Sequence, residues 1–193
     1  MPGQGGVLEA VLRRARDIYA QETAETSLIA PISPSPLAVV EEVLCMLSLS
    51  SDDVLIDLGC GDGRWLTAAA KRAGCRGWGF DLNQQLLDKG RADILQEGLS
   101  STVTLEKRDI FEVSLSVGTV IIVYLFRKGL TRIKAKLEAE VTPGARVVSV
   151  GFKIPGWFSR STLVVHGLHI YVYRVQGHAL GHVDGDSERG VGC

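Results

Sequence analysis

The sequence is short of the features that mark several specialised classes of protein. Its longest apolar stretch, Thr119 to Phe126 (TVIIVYLF), falls far below the ~20 residues a membrane-spanning helix needs. Charge of one sign is lacking too: 21 Lys and Arg face 22 Asp and Glu, for a net charge of -1 and a pI ≈ 6.4. A chain built to coat nucleic acid carries a basic excess, so nucleic acid is not an expected partner. Cys45, Cys60, Cys75 and Cys193 include no CxxC pair. That excludes a thiolate zinc site and leaves reduced thiols of an intracellular protein as the expected state. His166 and His169 flank or line a turn, while His178 and His182 sit among glycines that disfavour the helix their spacing would need. No metal is expected. No Ser-His-Asp arrangement is evident either.

What the chain does have is a globular composition, with 46% hydrophobic and 22% charged residues over 193 positions. This suits one domain of ordinary size. Residues 1–28 are expected to form a helical extension, since Val7, Leu8, Val11, Leu12, Ala15, Ile18 and Tyr19 recur at helical spacing. Arg13, Arg14 and Arg16 on its polar side resemble a mitochondrial presequence, but Glu9, Asp17, Glu22 and Glu25 do not. The cytoplasm is the expected location, with the mitochondrion as the alternative. Residues 177–193, rich in Gly, His and Asp, are expected to be a flexible tail.

Between them, residues 29–176 alternate strand and helix patterns. A Ser- and Pro-rich loop leads into a helix over Leu37–Leu47. DVLIDL is a buried strand, followed by a Gly-rich turn and a helix over Trp65–Ala73. RGWGFDL, VTLEKRD, GTVIIVYLF and ARVVSVGF are further strands. Helices over Asn83–Gln96 (Leu86, Leu87 and Ile94 inward) and Gly129–Glu140 (Leu130, Ile133 and Leu137 inward) separate some of them. STLVVH and LHIYVYRV flank His166-Gly167 with no helix between, which reads as a hairpin. Repeated βα units predict a parallel sheet covered by helices on both faces, an α/β doubly wound fold.

The sharpest local signal is Asp57-Leu58-Gly59-Cys60-Gly61-Asp62-Gly63, which follows the first strand and opens a helix. A turn of this kind, at the carboxyl end of the first strand, is where open α/β sheets take ligands. A dinucleotide fingerprint would place its third glycine at position 64, which here is Arg64. Asp57 would repel a pyrophosphate and suits an amino group instead. Asp81, with its neighbour Leu82, ends the second strand and can accept hydrogen bonds from ribose hydroxyls. Asp109 and Ile110 follow the third strand, where a carboxylate can meet an adenine amine and an apolar side chain can pack on the ring. An amine, a ribose and an adenine together describe S-adenosylmethionine.

With those residues in view, the chain resembles the class I, seven-β-strand methyltransferases that use S-adenosylmethionine. VLIDLGCGDG is similar to their first motif, GFDLN to the ribose-binding strand end, and KRDIFE to the adenine-binding segment. The resemblance implies a strand order of 3-2-1-4-5-7-6 with the last strand antiparallel. It also implies cofactor contacts by Asp57, Gly59, Cys60, Gly61, Gly63, Asp81, Leu82, Asp109 and Ile110, with Tyr124 lining the methyl site. The branches that methylate amides and adenine carry Asn/Asp-Pro-Pro-Tyr after the fourth strand, and this chain has Val-Tyr-Leu-Phe. More narrowly, IAPISPSPLAVVEEVL, DLGCGDGRWLTAAAKR and LEAEVTPGARVVSVGFKIPGW resemble small protein-lysine methyltransferases acting on the ATP synthase c subunit and the adenine nucleotide translocase. That implies a protein lysine as acceptor, with Tyr124, Phe126, Trp157 and Phe158 as candidates for an aromatic channel. A small-molecule methyltransferase and a catalytically silent nucleotide-binding module are the alternatives. An NAD-dependent oxidoreductase is disfavoured by Asp57 and Arg64.

Overall fold

Asp53 sits at the foot of the central strands and shows how the sheet is held at its amino edge. Its Oδ1 accepts from the Thr119 hydroxyl at 2.6 Å and from Arg146 at 2.5 Å, while Oδ2 accepts from the Ser50 N–H at 2.9 Å. The Thr119 hydroxyl in turn accepts from the Val54 N–H at 3.0 Å, and Arg146 also donates to the Leu47 carbonyl. One carboxylate thus ties together the starts of three neighbouring strands and the end of the helix before them.

These contacts come from a computed structural model that describes residues 34–176 continuously, together with residues 9, 10, 13, 16, 17, 20, 29 and 30. Glu9, Ala10, Arg13, Arg16, Asp17 and Ala20 are helical and exposed, and Arg13 and Arg16 belong to the expected polar side of the first helix. The expected tail lies outside the described residues. The elements run α1 (Leu37–Met46), β1 (Val54–Leu58), α2 (Arg64–Ala73), β2 (Arg76–Asp81), α3 (Gln84–Gln96), β3 (Val103–Lys107), β4 (Val120–Val123), α4 (Arg127–Glu140), β5 (Arg146–Val150), β6 (Ser161–Val165) and β7 (Leu168–Arg174). The sheet order is β3-β2-β1-β4-β5-β7-β6. Pairing is parallel from β3 through β5, and β7 lies antiparallel to both β5 and β6. This is the seven-strand arrangement that the sequence motifs implied.

The residue patterns account for the elements. β1 and β4 are buried at every position, as central parallel strands covered on both faces must be. Asn83 caps α3, its side-chain oxygen accepting from the Gln85 and Leu86 N–H groups at 3.1 and 3.2 Å. Leu87 and Ile94 are buried as expected, but Leu86 is 38% exposed. It lies on the ligand side of the fold, toward Gly61. The fourth strand is shorter than TVIIVYLF suggests, since its pairing ends at Val123 opposite Leu58 and Ser149. Tyr124-Leu125-Phe126 leaves the sheet as the approach to α4. His166 and Gly167, both at positive φ, make the two-residue hairpin turn. Cys60 and Cys75 are free and buried; Cys45 is not a free thiol, so the expectation of reduced cysteines stands for those two alone. Among the described residues no helix is long and apolar enough to cross a membrane.

Strand order reverses between β1 and β4, and right-handed crossovers then put α2 and α3 on one face and α4 on the other. Their diverging ends leave a crevice at the carboxyl ends of β1 and β4.

Burial would raise the Asp53 carboxyl, but its hydrogen bonds from Thr119 and Ser50 and the charge of Arg146 outweigh that and hold it below its ordinary value. A group lowered in this way stabilises the fold above its unfolded value of about 3.8, and that contribution fades as pH falls through the folded value. Asp53→Asn should therefore cost about 1–3 kcal/mol in urea unfolding at neutral pH, with the deficit shrinking toward about pH 3. A deficit that does not change with pH would contradict this account.

Candidate cofactor and acceptor site

The crevice is built from the turn after β1 outward. Gly59, at φ +89°, turns the chain sharply, and a Cβ there would meet nothing within 4 Å. The open space in front of it is room for a ligand to approach the backbone. The Gly59 and Cys60 N–H groups both donate to the Phe80 carbonyl, at 2.9 and 3.1 Å. The Gly61 N–H donates to Asp81 Oδ2 at 2.8 Å. Asp81 Oδ1 accepts from the Asn83 N–H at 2.8 Å. The end of β2 therefore holds the first glycine turn in place. Each oxygen keeps further acceptor capacity, because a carboxylate oxygen has two lone-pair directions.

Close packing beneath the turn has its own glycine. A Cβ on Gly90 of α3 would come within 2.4 Å of the Asp62 carbonyl oxygen. Cys60 is buried, and burial followed by the nearby charges of Asp57 and Asp81 pushes its thiol pKa strongly upward. It is a packing residue of the turn and no nucleophile. Gly63 adopts the left-handed conformation that starts α2.

Arg64, which breaks the dinucleotide pattern, has a structural task. It donates to both oxygens of Asp62, at 2.9 and 2.7 Å, and to the Ser35 carbonyl at 2.8 Å. With Lys89 adding a further bond, Asp62 is held down at about 2. Trp65 is buried and donates from Nε1 to the Ser35 hydroxyl at 3.1 Å. The Ser-Pro segment before α1 is thus fastened onto the glycine turn. Ile29 is fastened beyond β4, its carbonyl accepting from the Phe126 N–H at 2.9 Å. Sequence reasoning missed Ser35 and gave Arg64 only a negative role, because the contact joins residues about thirty positions apart.

Asp57 is the unusual group. It is 3% exposed, and its Oδ2 has no hydrogen-bond partner. Burial first, then repulsion from Asp81 and Asp62, pushes its pKa up to about 8. The ligand-free site therefore favours the neutral acid. A donor bearing positive charge would satisfy the oxygen and favour its ionised form.

The remaining expected residues fall around this centre. Leu82 is 63% exposed just past Asp81. Asp109 is half-buried beyond β3, with Oδ1 accepting from the Phe111 N–H at 3.0 Å, and Ile110 beside it is buried. The Arg108 N–H donates to the Asp81 carbonyl at 3.2 Å, which ties the two strand ends together. Tyr124 is half-buried and leaves the sheet level with Gly59, one residue past the Leu58–Val123 pair.

A cavity of about 570 Å³ opens beyond β5, lined by Arg127, by 151–158, and by His169 and Tyr171 of β7. It adjoins Tyr124, whose ring lies 3.4 Å from where a Cβ on Gly151 would stand. The expected aromatic channel needs correcting here. Phe126 is core, packed edge-on against Phe152 at 5.7 Å. Trp157 touches the cavity but is 6% exposed, edge-on to Tyr173 and donating to Glu138 at 2.9 Å. Phe158 is the exposed aromatic at the rim, and His169 stacks on Tyr171 at 6.1 Å. The alternation of His169 and Tyr171 along one strand face is the signal that marks them.

The family model of the ANTKMT methyltransferase domain matches residues 57–161, from Asp57 to the first residue of β6. A protein-lysine N-methyltransferase of Saccharolobus islandicus is 35% identical over 149 residues, covering 74% of this chain and 92% of that enzyme. The chain belongs to the ANTKMT methyltransferase-domain family. The adenine nucleotide translocase lysine N-methyltransferase of Mus musculus is 34% identical over 139 residues, covering 72% of this chain and 60% of the longer mouse protein. Among solved structures, an RNA methyltransferase from Salinibacter ruber bound to S-adenosyl-L-homocysteine matches with a TM-score of 0.74 at 30% identity, covering 79% of this chain and 100% of that one. The chain is accordingly an S-adenosylmethionine-dependent methyltransferase. Its site suits that cofactor, because the orphaned Asp57 oxygen calls for a cationic donor such as the cofactor's amino group.

An acid whose folded pKa is raised supports the fold fully below the unfolded value, and that support is lost as pH rises through the folded one. For Asp57 the window runs from about 3.8 to about 8. Asp57→Asn should therefore leave the ligand-free protein as stable as wild type near pH 4 and more stable near pH 8, measured by thermal unfolding at both. An Asn variant destabilised at the alkaline end would refute the buried-acid account.

Proposed function

We propose that this chain transfers the methyl group of S-adenosylmethionine to the side-chain amine of a lysine in a protein. The observation that carries the cofactor part is the buried, unpartnered Asp57 oxygen at the turn after β1. When bound, S-adenosylmethionine supplies a methyl group already activated on a sulfonium. In this reading Asp57 holds the cofactor's ammonium, and the Gly59-Cys60-Gly61 backbone lines its amino-acid portion, with Gly63 setting the turn. Asp81 accepts from the ribose hydroxyls. Leu82 and Ile110 sandwich the adenine, and Asp109 takes its amine. Tyr124 borders the methyl and marks where the acceptor enters.

The protein then has to align a neutral amine with the methyl group and keep water out, since alignment supplies most of the acceleration in such a transfer. The carbon–sulfur bond breaks as the nitrogen lone pair forms the new carbon–nitrogen bond, and the methylated ammonium later loses its proton to solvent. A lysine acceptor fits the curated relatives, which are named as lysine methyltransferases at 35% and 34% identity. It also fits the cavity of about 570 Å³ beside Tyr124, which has the exposed Phe158 at its rim.

Calorimetry should show binding of S-adenosylmethionine and S-adenosylhomocysteine and none of NAD. Asp57→Asn and Asp81→Ala should each weaken cofactor binding about tenfold or more, as loss of a charge-assisted hydrogen bond implies. Labelled methyl transfer into a cell extract, followed by acid hydrolysis, should put the label in methyl-lysine. Recovery of label only in small metabolites or in RNA would overturn the acceptor assignment.

A further inference from the structure

The two edges of the sheet are finished differently. β3 is closed off, because Arg91 donates from Nε and Nη2 to the Leu105 carbonyl at 3.2 and 2.8 Å. That carbonyl faces away from β2, since the residues bonded to β2 alternate through Thr102 and Arg108. β3 also ends in Glu106 and Lys107, and charges on an edge strand discourage further pairing.

β6, the opposite edge, has no such cover among the described residues. Its sequence, Ser161-Thr162-Leu163-Val164-Val165, holds no charge, proline or glycine and is rich in β-branched residues. The Gly151 N–H donates to the His169 carbonyl at 2.7 Å, so the His169 backbone faces β5. Val164 stands opposite His169, and Thr162 opposite Tyr171. Alternation along an antiparallel ladder therefore turns the N–H and C=O groups of Thr162 and Val164 outward, away from β7. The Arg160 N–H turns inward to the Val172 carbonyl at 2.8 Å, so the open stretch begins after it. The side chains of Thr162 and Val164 are exposed, Val164 at 63%.

This edge is joined to the acceptor cavity. No helix lies between β5 and β6 to cover the face that Thr162 and Val164 share with His169 and Tyr171. Those same two β7 residues line the cavity beside Tyr124.

We propose that an extended segment of the acceptor protein adds to the seven-stranded sheet along β6 and so brings its lysine to the cavity. This rests on the protein-lysine reading above. Main-chain bonds to Thr162 and Val164 supply affinity that tolerates varied sequence, and Val164 offers an apolar contact to the side chains on one face. An added strand would stand four strand spacings from β4, about 19 Å, which extended chain crosses in about six residues. The docked run therefore lies about six residues from the acceptor lysine. A second copy of this chain fits the edge less well. Five residues of strand per copy fall far short of the ~20–30 residues a side of a standard interface, whereas a passing substrate needs no more.

The test separates docking from chemistry. The full chain, saturated with S-adenosylhomocysteine, is titrated into two labelled peptides, each with one lysine about six residues from a Thr-Val-Thr-Val-Thr run. In one peptide the run is N-methylated throughout, which removes its backbone donors. Binding is followed by fluorescence anisotropy, and sedimentation reports the oligomeric state. The unmodified peptide should bind about tenfold more tightly, as the loss of two main-chain bonds implies. Val164→Pro removes an outward N–H and leaves the bonds to β7 in place, so it should erase the difference, whereas Val164→Ala keeps the N–H and should retain it. The comparison of the two peptides on the unaltered chain stands even where the proline variant fails to fold. Equal binding of the two peptides, binding of neither, a difference that survives in folded Val164→Pro, or a dimer of the chain that the peptide does not dissociate would overturn the proposal. With S-adenosylmethionine in place of S-adenosylhomocysteine, methyl-lysine should form faster in the unmodified peptide. Equal rates in the two would strike the docking alone, and a peptide that docks as expected but takes no methyl would strike the lysine reading instead.

Discussion

The site depends on one arrangement: the first half of the turn after β1 is hydrogen-bonded to the end of β2. Phe80 and Asp81 accept from three consecutive backbone N–H groups, Gly59 through Gly61. That fixes the curvature of the turn by giving partners to three backbone N–H groups, while the Gly63 N–H bonds within the turn to the Cys60 carbonyl at 2.9 Å. It also sets Asp81 and Asp57 at a constant separation across adjacent parallel strands. Register β1–β2 pairs Asp57 with Gly79 and Leu58 with Phe80, so both carboxylates sit at neighbouring strand ends. Everything placed further out, Leu82, Asn83 and the Arg108 backbone contact, is hung on that pair of strand ends.

Asp57 is where stability and function diverge. A buried carboxyl with an orphaned oxygen is unfavourable in the free protein, and the sheet around it is otherwise apolar. The fold tolerates it because the surrounding strands over-determine the backbone. Asp53 makes a useful contrast. It lies just before the same strand, yet hydrogen bonds from Thr119 and Ser50 and the charge of Arg146 hold its pKa down, whereas burial and repulsion from Asp81 and Asp62 drive Asp57 up. Asp57 is the more deeply buried of the two and faces carboxylates, whereas Asp53 faces donors and a guanidinium.

Much of the fold was legible in the chain. Strictly apolar runs at β1 and β4, helical spacing of Leu130, Ile133 and Leu137, and the hairpin at His166-Gly167 are local patterns with local causes. The glycine turn and the acidic strand ends were legible for the same reason. Errors arose where local pattern and tertiary contact disagree. Leu86 has the spacing of a core residue but lies over the ligand side, and TVIIVYLF keeps its apolar character past the point where its neighbouring strands stop pairing. Phe126 and Trp157 have the composition of a channel and the packing of a core.

By itself, the sequence determined the order of elements and the residue type at each strand end, because periodicity and turn chemistry act over a few neighbours. Only the tertiary structure decided that the Asp57 carboxyl is pushed upward, since desolvation is a sum over segments distant in sequence. The same holds for Arg64, whose guanidinium clamps Ser35 and Asp62, and for the cavity assembled from α4, the loop after β5 and β7. Those elements meet only when the sheet closes, and no stretch of sequence records their distances.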